Sequence, residues 1–199
     1  MMAKIFKIIE TNRLMIRPLV LSDAKDYHKA ELRSVNAMAP YWSWVNKNKT
    51  LSDIKDFLQD VENVHQQENP SSMYLGMFDK NDNRFLGCLW YVGINWFVPR
   101  FEIAYWQDVK ACGNGYMTEA VNALTQVSIK FYDAKRVEIK TFINNPKSYK
   151  IPERLNFNKE AKLENYFIDF VTQDILDGLM YTCSDVRQLP DIHFKLMKE

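Results

Sequence analysis

The chain has 199 residues, a length typical of one compact domain, and we expect residues 1–199 to form a single domain. Its composition is 47% hydrophobic and 14% aromatic, which excludes an intrinsically disordered chain. The formal net charge is +1, so no overall electrostatic field attracts nucleic acid or an acidic membrane surface, and we expect neither as a partner.

The cysteine pattern and the N-terminal residues indicate the cellular compartment of the protein. The chain has three cysteines: Cys88, Cys112 and Cys183. Their odd number argues against a disulfide framework, and the lack of CxxC or Cys/His metal spacing argues against a structural zinc site. Residues 1–7 lack the apolar run of a signal peptide, and no stretch approaches the roughly 20 apolar residues of a membrane span. The sequence therefore predicts a cytoplasmic protein that holds no metal.

The first part of the chain contains one predicted strand and two predicted helices. Alternating apolar residues predict a strand over 14–19, and Ser22 with Asp23 marks the start of a helix over 24–33. Residues 37–45 are rich in aromatic side chains without a helical period, which predicts a loop. Ser52 is the predicted N-cap of the second helix.

Three consecutive strands are predicted in the middle of the chain. Apolar runs over 72–78 and 85–92 flank a polar turn, and a third run over 101–106 follows another turn, so the three strands should be antiparallel. Alternation in the third strand separates its side chains into two faces: Phe101, Ile103 and Tyr105 on one, and Glu102, Ala104 and Trp106 on the other.

The remaining chain predicts a parallel unit and a final hairpin. A helix after Gly115 and a strand over 136–142 complete a strand–helix–strand unit, whose two strands should be parallel. Asn145 and Pro146 mark the start of a short helix that ends near Asn156. The last two strands are predicted around residues 161–170 and 179–186.

The turn before the long helix is a candidate anion site. Gly113 and Gly115 allow successive backbone N–H groups to point outward, and the helix N-terminus adds a partial positive charge, which together suit a diphosphate. The turn has neither the Lys-Ser/Thr ending of a Walker motif nor the third glycine of a dinucleotide fingerprint, so ATP and NAD are poorly supported. A Gly-x-Gly pair by itself is more often an ordinary turn.

The residues around this turn resemble a known family. Three motifs occur in the order found in the GNAT N-acetyltransferases of the RimJ/RimL type: Glu102-Ile103-Ala104-Tyr105-Trp106, the glycine turn through Glu119, and Asn145 to Phe157. Residues 10–19 and the aromatic segment up to Asp53 are similar to the ribosomal-protein-serine acetyltransferase subgroup. The resemblance covers about residues 8–186.

The resemblance implies an α/β (α+β) fold in which a mixed, mostly antiparallel sheet is splayed where acetyl-CoA enters, with about four flanking helices. Acetyl-CoA is the implied co-substrate, with no metal. The residues that the resemblance assigns to acetyl-CoA are Trp106, Gln107, Cys112, Gly113, Asn114, Gly115, Tyr116, Met117, Thr118, Asn145 and Arg154.

The sequence departs from the wider superfamily at several of these positions. Cys112 stands where Gln or Arg is usual, and Met117 stands where Gly or Ala is usual. Pro152 occupies the position of a tyrosine that often protonates the departing thiolate, although Met117 and Pro152 are familiar in the subgroup. These departures leave open a non-catalytic acetyl-CoA-binding sensor or interaction module.

Ser148 and Glu102 are the candidate catalytic residues. Pro152 has no N–H for the carbonyl of Ser148, so that turn should open and let the Ser148 hydroxyl reach the sulfur; alternatively, Ser148 caps the helix with Asn145. Glu102 is the candidate base, and its alternative is an ion pair with a nearby Lys or Arg. The acid that related enzymes use on the late strands aligns with Phe167 here, so it does not carry over.

The aromatic segment is the candidate acceptor site. Tyr41, Trp42 and Trp44 are predicted to line a groove for the acceptor, or alternatively to cover the end of the sheet as core residues. The acceptor predicted from the subgroup is the N-terminal α-amine of a protein, with a ribosomal protein as the best guess. A polyamine or amino-sugar acceptor is the alternative, and the protein is expected as a monomer or homodimer.

Overall fold

The computed structural model describes residues 6–197. This part of the chain contains four α-helices: α1 (Ala24–Met38), α2 (Leu51–His65), α3 (Tyr116–Phe131) and α4 (Pro146–Arg154). It also contains nine strands: β1 (Ile8–Glu10), β2 (Leu14–Pro18), β3 (Met73–Asp79), β4 (Phe85–Asn95), β5 (Arg100–Gln107), β6 (Arg136–Phe142), β7 (Asn158–Ile168), β8 (Ile175–Cys183) and β9 (Lys195–Met197).

The nine strands form one sheet in the order β7-β8-β6-β5-β4-β3-β2-β1-β9. Neighbouring strands are antiparallel except β5 and β6, which are parallel and are connected through α3. This arrangement confirms the predicted mixed, mostly antiparallel sheet with four helices.

The sheet separates two hydrophobic cores. One core packs α3 and α4 against residues that include Phe101 and Ile103 of β5. The other packs α1 and α2 against residues that include Trp106, with Ala104 at its edge. The alternation predicted for β5 is therefore confirmed, and this strand contributes side chains to both cores.

Two boundaries in the first half differ from the prediction. The first helix continues to Met38 rather than ending near residue 33, because Val35 and Met38 continue its buried face. The second helix is capped by Thr50, not Ser52: Thr50 Oγ1 accepts from the Asp53 N–H at 3.2 Å, and the Asp53 carboxylate accepts from the Thr50 N–H at 2.7 Å. A reciprocal box needs an acidic or amide side chain three residues after the cap, and the sequence has one only for Thr50.

The strands at the two ends of the chain also differ from the prediction. β1 and β9 were not predicted; each has three residues, and the two strands pair with each other. Both strands of the final hairpin begin earlier than predicted, at Asn158 and Ile175. Asp169 follows the last residue of β7 and marks its end. Its Oδ1 accepts from the N–H groups of Val171 and Thr172 at 2.8 and 3.1 Å and turns the chain there.

His65 links the end of α2 to the sheet and predicts a pH-dependent stability. Its Nε2 accepts a hydrogen bond from the Tyr74 N–H at 3.0 Å, so the ring must remain neutral on that nitrogen. Burial lowers the pKa of His65 from 6.5 to about 4. Because the unfolded chain binds this proton more readily, His65 favours folding above pH 6.5 and loses that contribution as the pH falls toward 4.

We therefore expect the free energy of unfolding to fall by roughly 2 kcal/mol between about pH 7 and pH 5 through this residue. Chemical denaturation at the two pH values, compared with His65→Gln, measures the effect. Glutamine can still accept from the Tyr74 N–H but does not titrate, so an equal pH dependence in both proteins contradicts the assignment.

No helix within residues 6–197 combines the length and the apolar character that crossing a bilayer requires.

Candidate active site

The pairing of β5 with β6 is short, and the two strands separate beyond it. Parallel pairs join Arg100–Glu102 to Arg136–Glu138. Farther along, residues 103–107 pair only with β4, while residues 139–142 pair only with β8. Each strand therefore presents an open backbone edge to the gap, and a cleft of about 1300 Å³ lies there.

The glycine turn stands at one end of this cleft. Gly113 has φ 85° and Gly115 has φ 75°, values that favour glycine. Gly115 is the N-cap of α3 and provides no side-chain cap, which leaves the first-turn N–H groups for an external acceptor. A Cβ added at Gly113 would meet no protein atom within 4 Å, so a ligand can approach the backbone closely. The turn therefore has the form of an anion site.

Arg13 and Thr11 anchor the glycine turn and the first turn of α3. The guanidinium of Arg13 donates to the Asn114 carbonyl oxygen at 2.9 Å and to Glu119 Oε2 at 2.6 Å. Thr11 Oγ1 donates to Glu119 Oε1 at 2.6 Å. The guanidinium also lies 4.8 Å from the centre of the Tyr116 ring. Asn114 and Tyr116 therefore shape the turn, whereas its neighbours line the cleft.

The exposed face of α4 is basic. Lys147, Lys150 and Arg154 line the cleft, and their spacing places them on one side of the helix. The positive charge of Lys147 also acts on Cys112, although burial dominates and raises the pKa of the Cys112 thiol. Three cations beside the open N-terminus of α3 suit a ligand that carries several phosphates.

Ser148 lies in the cleft on the first turns of α4. The Asn145 side chain caps this helix by accepting from the Ser148 backbone N–H at 3.2 Å. The cap therefore uses the main chain of Ser148, and its hydroxyl remains directed elsewhere. That hydroxyl lies 3.4 Å from Tyr105 Oη, across the gap on β5.

Aromatic side chains form the other end of the cleft. Phe142 packs edge-on against Tyr41 with ring centres 5.0 Å apart, and stacks on Phe167 at 4.1 Å. The Phe170 N–H donates to the Pro40 carbonyl oxygen at 3.0 Å, so the β7–β8 turn touches the segment after α1. We call Tyr41, Trp42, Phe142 and Phe167 the aromatic wall; all four line the cleft.

Trp44 does not line the cleft with the aromatic wall. It packs on Trp42 at 5.9 Å between ring centres, and the Lys49 ammonium lies 4.7 Å above its ring. The structure thus places Trp44 behind the wall, in the core role that was the alternative for this segment.

Glu102 forms the ion pair that was the alternative to its role as a base. Its Oε2 accepts from Lys140 Nζ at 2.7 Å. Burial opposes the charge of Lys140, but the hydrogen bond and charge of Glu102 outweigh burial and raise the pKa of Lys140. Lys140 lines the cleft and Glu102 does not, so a catalytic role for Glu102 stays a prediction.

The structure gathers most of the predicted site residues around one cleft. Those that line it are Tyr41, Trp42, Trp106, Gln107, Cys112, Gly113, Gly115, Met117, Thr118, Asn145, Ser148 and Arg154. Several other residues line the cleft without having been predicted as site residues: Tyr105, Lys140, Phe142, Phe167, Lys147 and Lys150. The basic spacing along α4 was a signal for the two lysines, whereas contacts across the gap carry no signal in the sequence.

A family model described as an acetyltransferase (GNAT) domain matches residues 13–158, which is most of the chain. The chain belongs to the GNAT acetyltransferase family. It is accordingly an N-acetyltransferase with acetyl-CoA as co-substrate, and the glycine turn, the basic face of α4 and the open strand edges fit that ligand.

Known proteins are similar to this acetyltransferase in sequence or in fold. An uncharacterized N-acetyltransferase p20 of Bacillus licheniformis is 26% identical over 148 residues, which are 69% of this chain and 81% of p20. RimL, a ribosomal L7/L12 α-N-protein acetyltransferase solved with CoA, superposes with a TM-score of 0.81 at 21% identity, covering 90% of this chain and 99% of RimL. The microcin C7 self-immunity acetyltransferase MccE, solved with acetyl-CoA and AMP, gives a TM-score of 0.79 at 21% identity, covering 87% and 93%.

Within residues 6–197, the acetyltransferase has no cluster of three or more His, Cys, Asp or Glu side chains that could hold a metal ion.

Proposed function

We propose that this acetyltransferase acetylates the N-terminal α-amine of a peptide or protein. The observation that carries the proposal is the character of the acceptor end, where the aromatic wall and Lys140 line the cleft. Among residues 6–197, the acidic side chains that line the cleft are Glu119 and Asp191. Glu119 is in the first turn of α3, and Asp191 follows Pro190, whose carbonyl oxygen accepts from Asn122 of α3.

Within residues 6–197, no carboxylate lines the acceptor end of the cleft, which disfavours a polyamine. Two carboxylates lie near this end but are already engaged: Glu102 pairs with Lys140, and Asp169 accepts from two backbone N–H groups of its own turn. A polycation needs negative charges along its path, and this end of the cleft offers Lys140 instead. A peptide carries its positive charge only at the amine and has an extended backbone that can lie along aromatic side chains. RimL, with the similar fold, is named an acetyltransferase for a protein α-amine, which supports the same acceptor class.

The chemistry of an α-amine also matches this site. Its pKa is near 8, so an appreciable fraction is neutral and nucleophilic at neutral pH without a strong base. A phenylalanine at position 167, where related enzymes are expected to have an acid, is compatible with such an acceptor. A lysine side chain, with a pKa near 10.4, requires far more help.

The remaining residues have assignable roles in the proposed reaction. Acetyl-CoA supplies the acetyl group as a reactive thioester. We assign the turn at residues 112–118 and the basic side chains Lys147, Lys150 and Arg154 to its phosphates, and the open edge of β5 to its extended arm. The Ser148 hydroxyl provides a proton for the sulfur as CoA departs, and the proton lost by the attacking amine restores the hydroxyl.

Thiol release with a panel of amines tests the proposal. The panel contains peptides with free α-amines, including ribosomal-protein N-termini, the same peptides with blocked N-termini and an internal lysine, a polyamine and an amino-sugar. We expect free α-amine peptides to be at least about tenfold better in kcat/KM than the other acceptors. Faster release with the polyamine or amino-sugar contradicts the proposal, and no release with any amine favours a non-catalytic acetyl-CoA sensor.

The aromatic wall predicts a selective effect on the acceptor. Phe167→Ala removes the ring stacked on Phe142 and leaves a gap in the wall, so we expect the KM for the peptide to rise about tenfold. The KM for acetyl-CoA should change little, because the phosphates bind at the other end of the cleft. Phe97→Ala is the matched control, since Phe97 is 100% exposed. A larger change in the acetyl-CoA KM than in the peptide KM contradicts this placement.

A further inference from the structure

A proline inside α4 removes a backbone donor next to the proposed chemistry. Pro152 has no N–H, so the carbonyl oxygen of Ser148, four residues earlier, lacks its usual helical partner. A proline at this position predicts an open or kinked turn. The structure shows that α4 nevertheless extends from Pro146 to Arg154.

The missing donor is replaced from the opposite strand. Tyr105 Oη donates to the Ser148 carbonyl oxygen at 3.1 Å, which connects β5 to α4 across the gap. Tyr105 lies on the face of β5 that packs toward α3 and α4, and its ring is partly buried there. The hydroxyl is thus held beside the same residue whose side chain reaches into the cleft.

The direction of these hydrogen bonds decides which hydroxyl has a proton to give. Tyr105 commits its single proton to the Ser148 carbonyl, and it accepts from Ser148 Oγ over the longer distance of 3.4 Å. Burial raises the pKa of Tyr105, so the phenol remains a donor at neutral pH. The weak contact leaves the Ser148 proton free to transfer elsewhere.

We propose that Tyr105 is a positioning residue that takes the place of the helical donor lost at Pro152 and thereby orients the Ser148 hydroxyl in the cleft. The proposal rests on the role given to Ser148 under the proposed function. It requires that Tyr105→Phe no longer lower kcat when the Ser148 carbonyl obtains another donor. It also requires that Tyr105→Phe no longer lower kcat when the Ser148 hydroxyl is absent.

A double-mutant cycle with Pro152 tests the first requirement. Tyr105→Phe should lower kcat about tenfold and lower Tm, with less than about a twofold change in the KM for acetyl-CoA. Pro152→Ala restores a backbone N–H at the right place, so the Tyr105→Phe/Pro152→Ala protein should recover most of the loss in both kcat and Tm. Tyr91→Phe is the matched control: it removes a buried hydroxyl that lies 2.7 Å from Ser128 Oγ, so it should lower Tm without changing kcat, and Pro152→Ala should not recover that loss.

A second cycle with Ser148 tests the other requirement. In a Ser148→Ala background, Tyr105→Phe should cost no further kcat, because the residue that it orients has lost its function. Additive losses in kcat overturn the proposal. An unchanged kcat in Tyr105→Phe, or a loss that Pro152→Ala does not recover, also overturns it; the second result means that Tyr105 acts directly on the reacting atoms.

Measuring both kcat and Tm keeps the test of Tyr105 separate from the test of the acceptor class. The kcat cycles use whichever amine the panel identifies, so a polyamine substrate does not affect their outcome. The Tm cycle needs no substrate, and recovery of Tm by Pro152→Ala is required by the proposal even if no amine is acetylated. If Pro152→Ala does not recover the Tm lost in Tyr105→Phe, the proposed carbonyl contact is overturned. If free α-amine peptides are not the preferred acceptors in the panel, the proposed function is overturned.

Discussion

Alanine at Gly113 or Gly115 should weaken CoA binding at least about tenfold without preventing folding. Both residues have positive φ, which costs a non-glycine residue roughly 1–2 kcal/mol, and relaxation of that strain turns the first-turn N–H groups of α3 away from the ligand. A methyl group at Gly113 would have no protein atom within 4 Å, so it would project into the open space that the ligand needs.

Calorimetric titration with CoA measures this effect, and thermal unfolding shows whether the fold persists. Gly93→Ala is the matched control: a Cβ at Gly93 also meets nothing within 4 Å, but that residue lies in β4 without a positive φ. We expect the control to bind CoA as the parent protein does. Wild-type affinity in both cleft variants refutes the assignment of the turn to the phosphates.

Replacing Lys49 by methionine should destabilise the protein by about 3 kcal/mol, because it leaves a buried carboxylate without its cation. Glu31 is 1% exposed and its Oε1 accepts from Lys49 Nζ at 2.9 Å. Its Oε2 is buried without a hydrogen-bond partner among the described residues. For a chain of this size, we expect Tm to fall by roughly 6–12 °C.

The pH dependence of the stability loss and a second variant identify the cause of the destabilisation in Lys49→Met. Burial raises the pKa of Glu31, so lowering the pH from about 8 to about 5 favours its neutral form and should reduce the deficit of Lys49→Met. Glu31→Gln in the Lys49→Met background should recover most of the loss. Lys47→Met, an exposed change in the same segment, is the control. A deficit that does not depend on pH refutes the buried-charge explanation.

Lys49 also holds the segment that includes Tyr41 and Trp42 of the aromatic wall, which we propose contacts the acceptor. The Lys49 carbonyl oxygen lies 2.8 Å from Nε2 of His28, and its ammonium lies over Trp44, which packs behind Trp42. The main chain and the side chain of Lys49 therefore both attach the aromatic segment to α1. We expect Lys49→Met to raise the acceptor KM as well as to lower Tm.

Features that depend on neighbouring residues along the chain were predictable. The glycine turn, α3 with its apolar face and the parallel β5–α3–β6 unit follow from glycine conformation and from periodicity, which are local properties. Residue preference alone does not identify the cap of α2, since Ser52 and Thr50 are both acceptable caps. Only the reciprocal bond from Asp53 distinguishes them.

Features that depend on distant pairing were not predictable. β1 and β9 have three residues each, too few for a period, and exist because each strand gains hydrogen bonds from the other end of the chain. The aromatic wall joins residues from the segment after α1, from β6 and from β7. No local pattern relates these segments, so their contacts appear only after the sheet has formed.

The sequence by itself determined the backbone geometry of the glycine turn, because left-handed glycines before a helix N-terminus leave N–H groups that favour an anion. The tertiary structure decided what surrounds it. The gap between β5 and β6 brings Tyr105 to the carbonyl that Pro152 leaves without a helical donor, and it pairs Glu102 with Lys140. These contacts join residues 38 or more positions apart in the chain, and only packing of the sheet sets such distances.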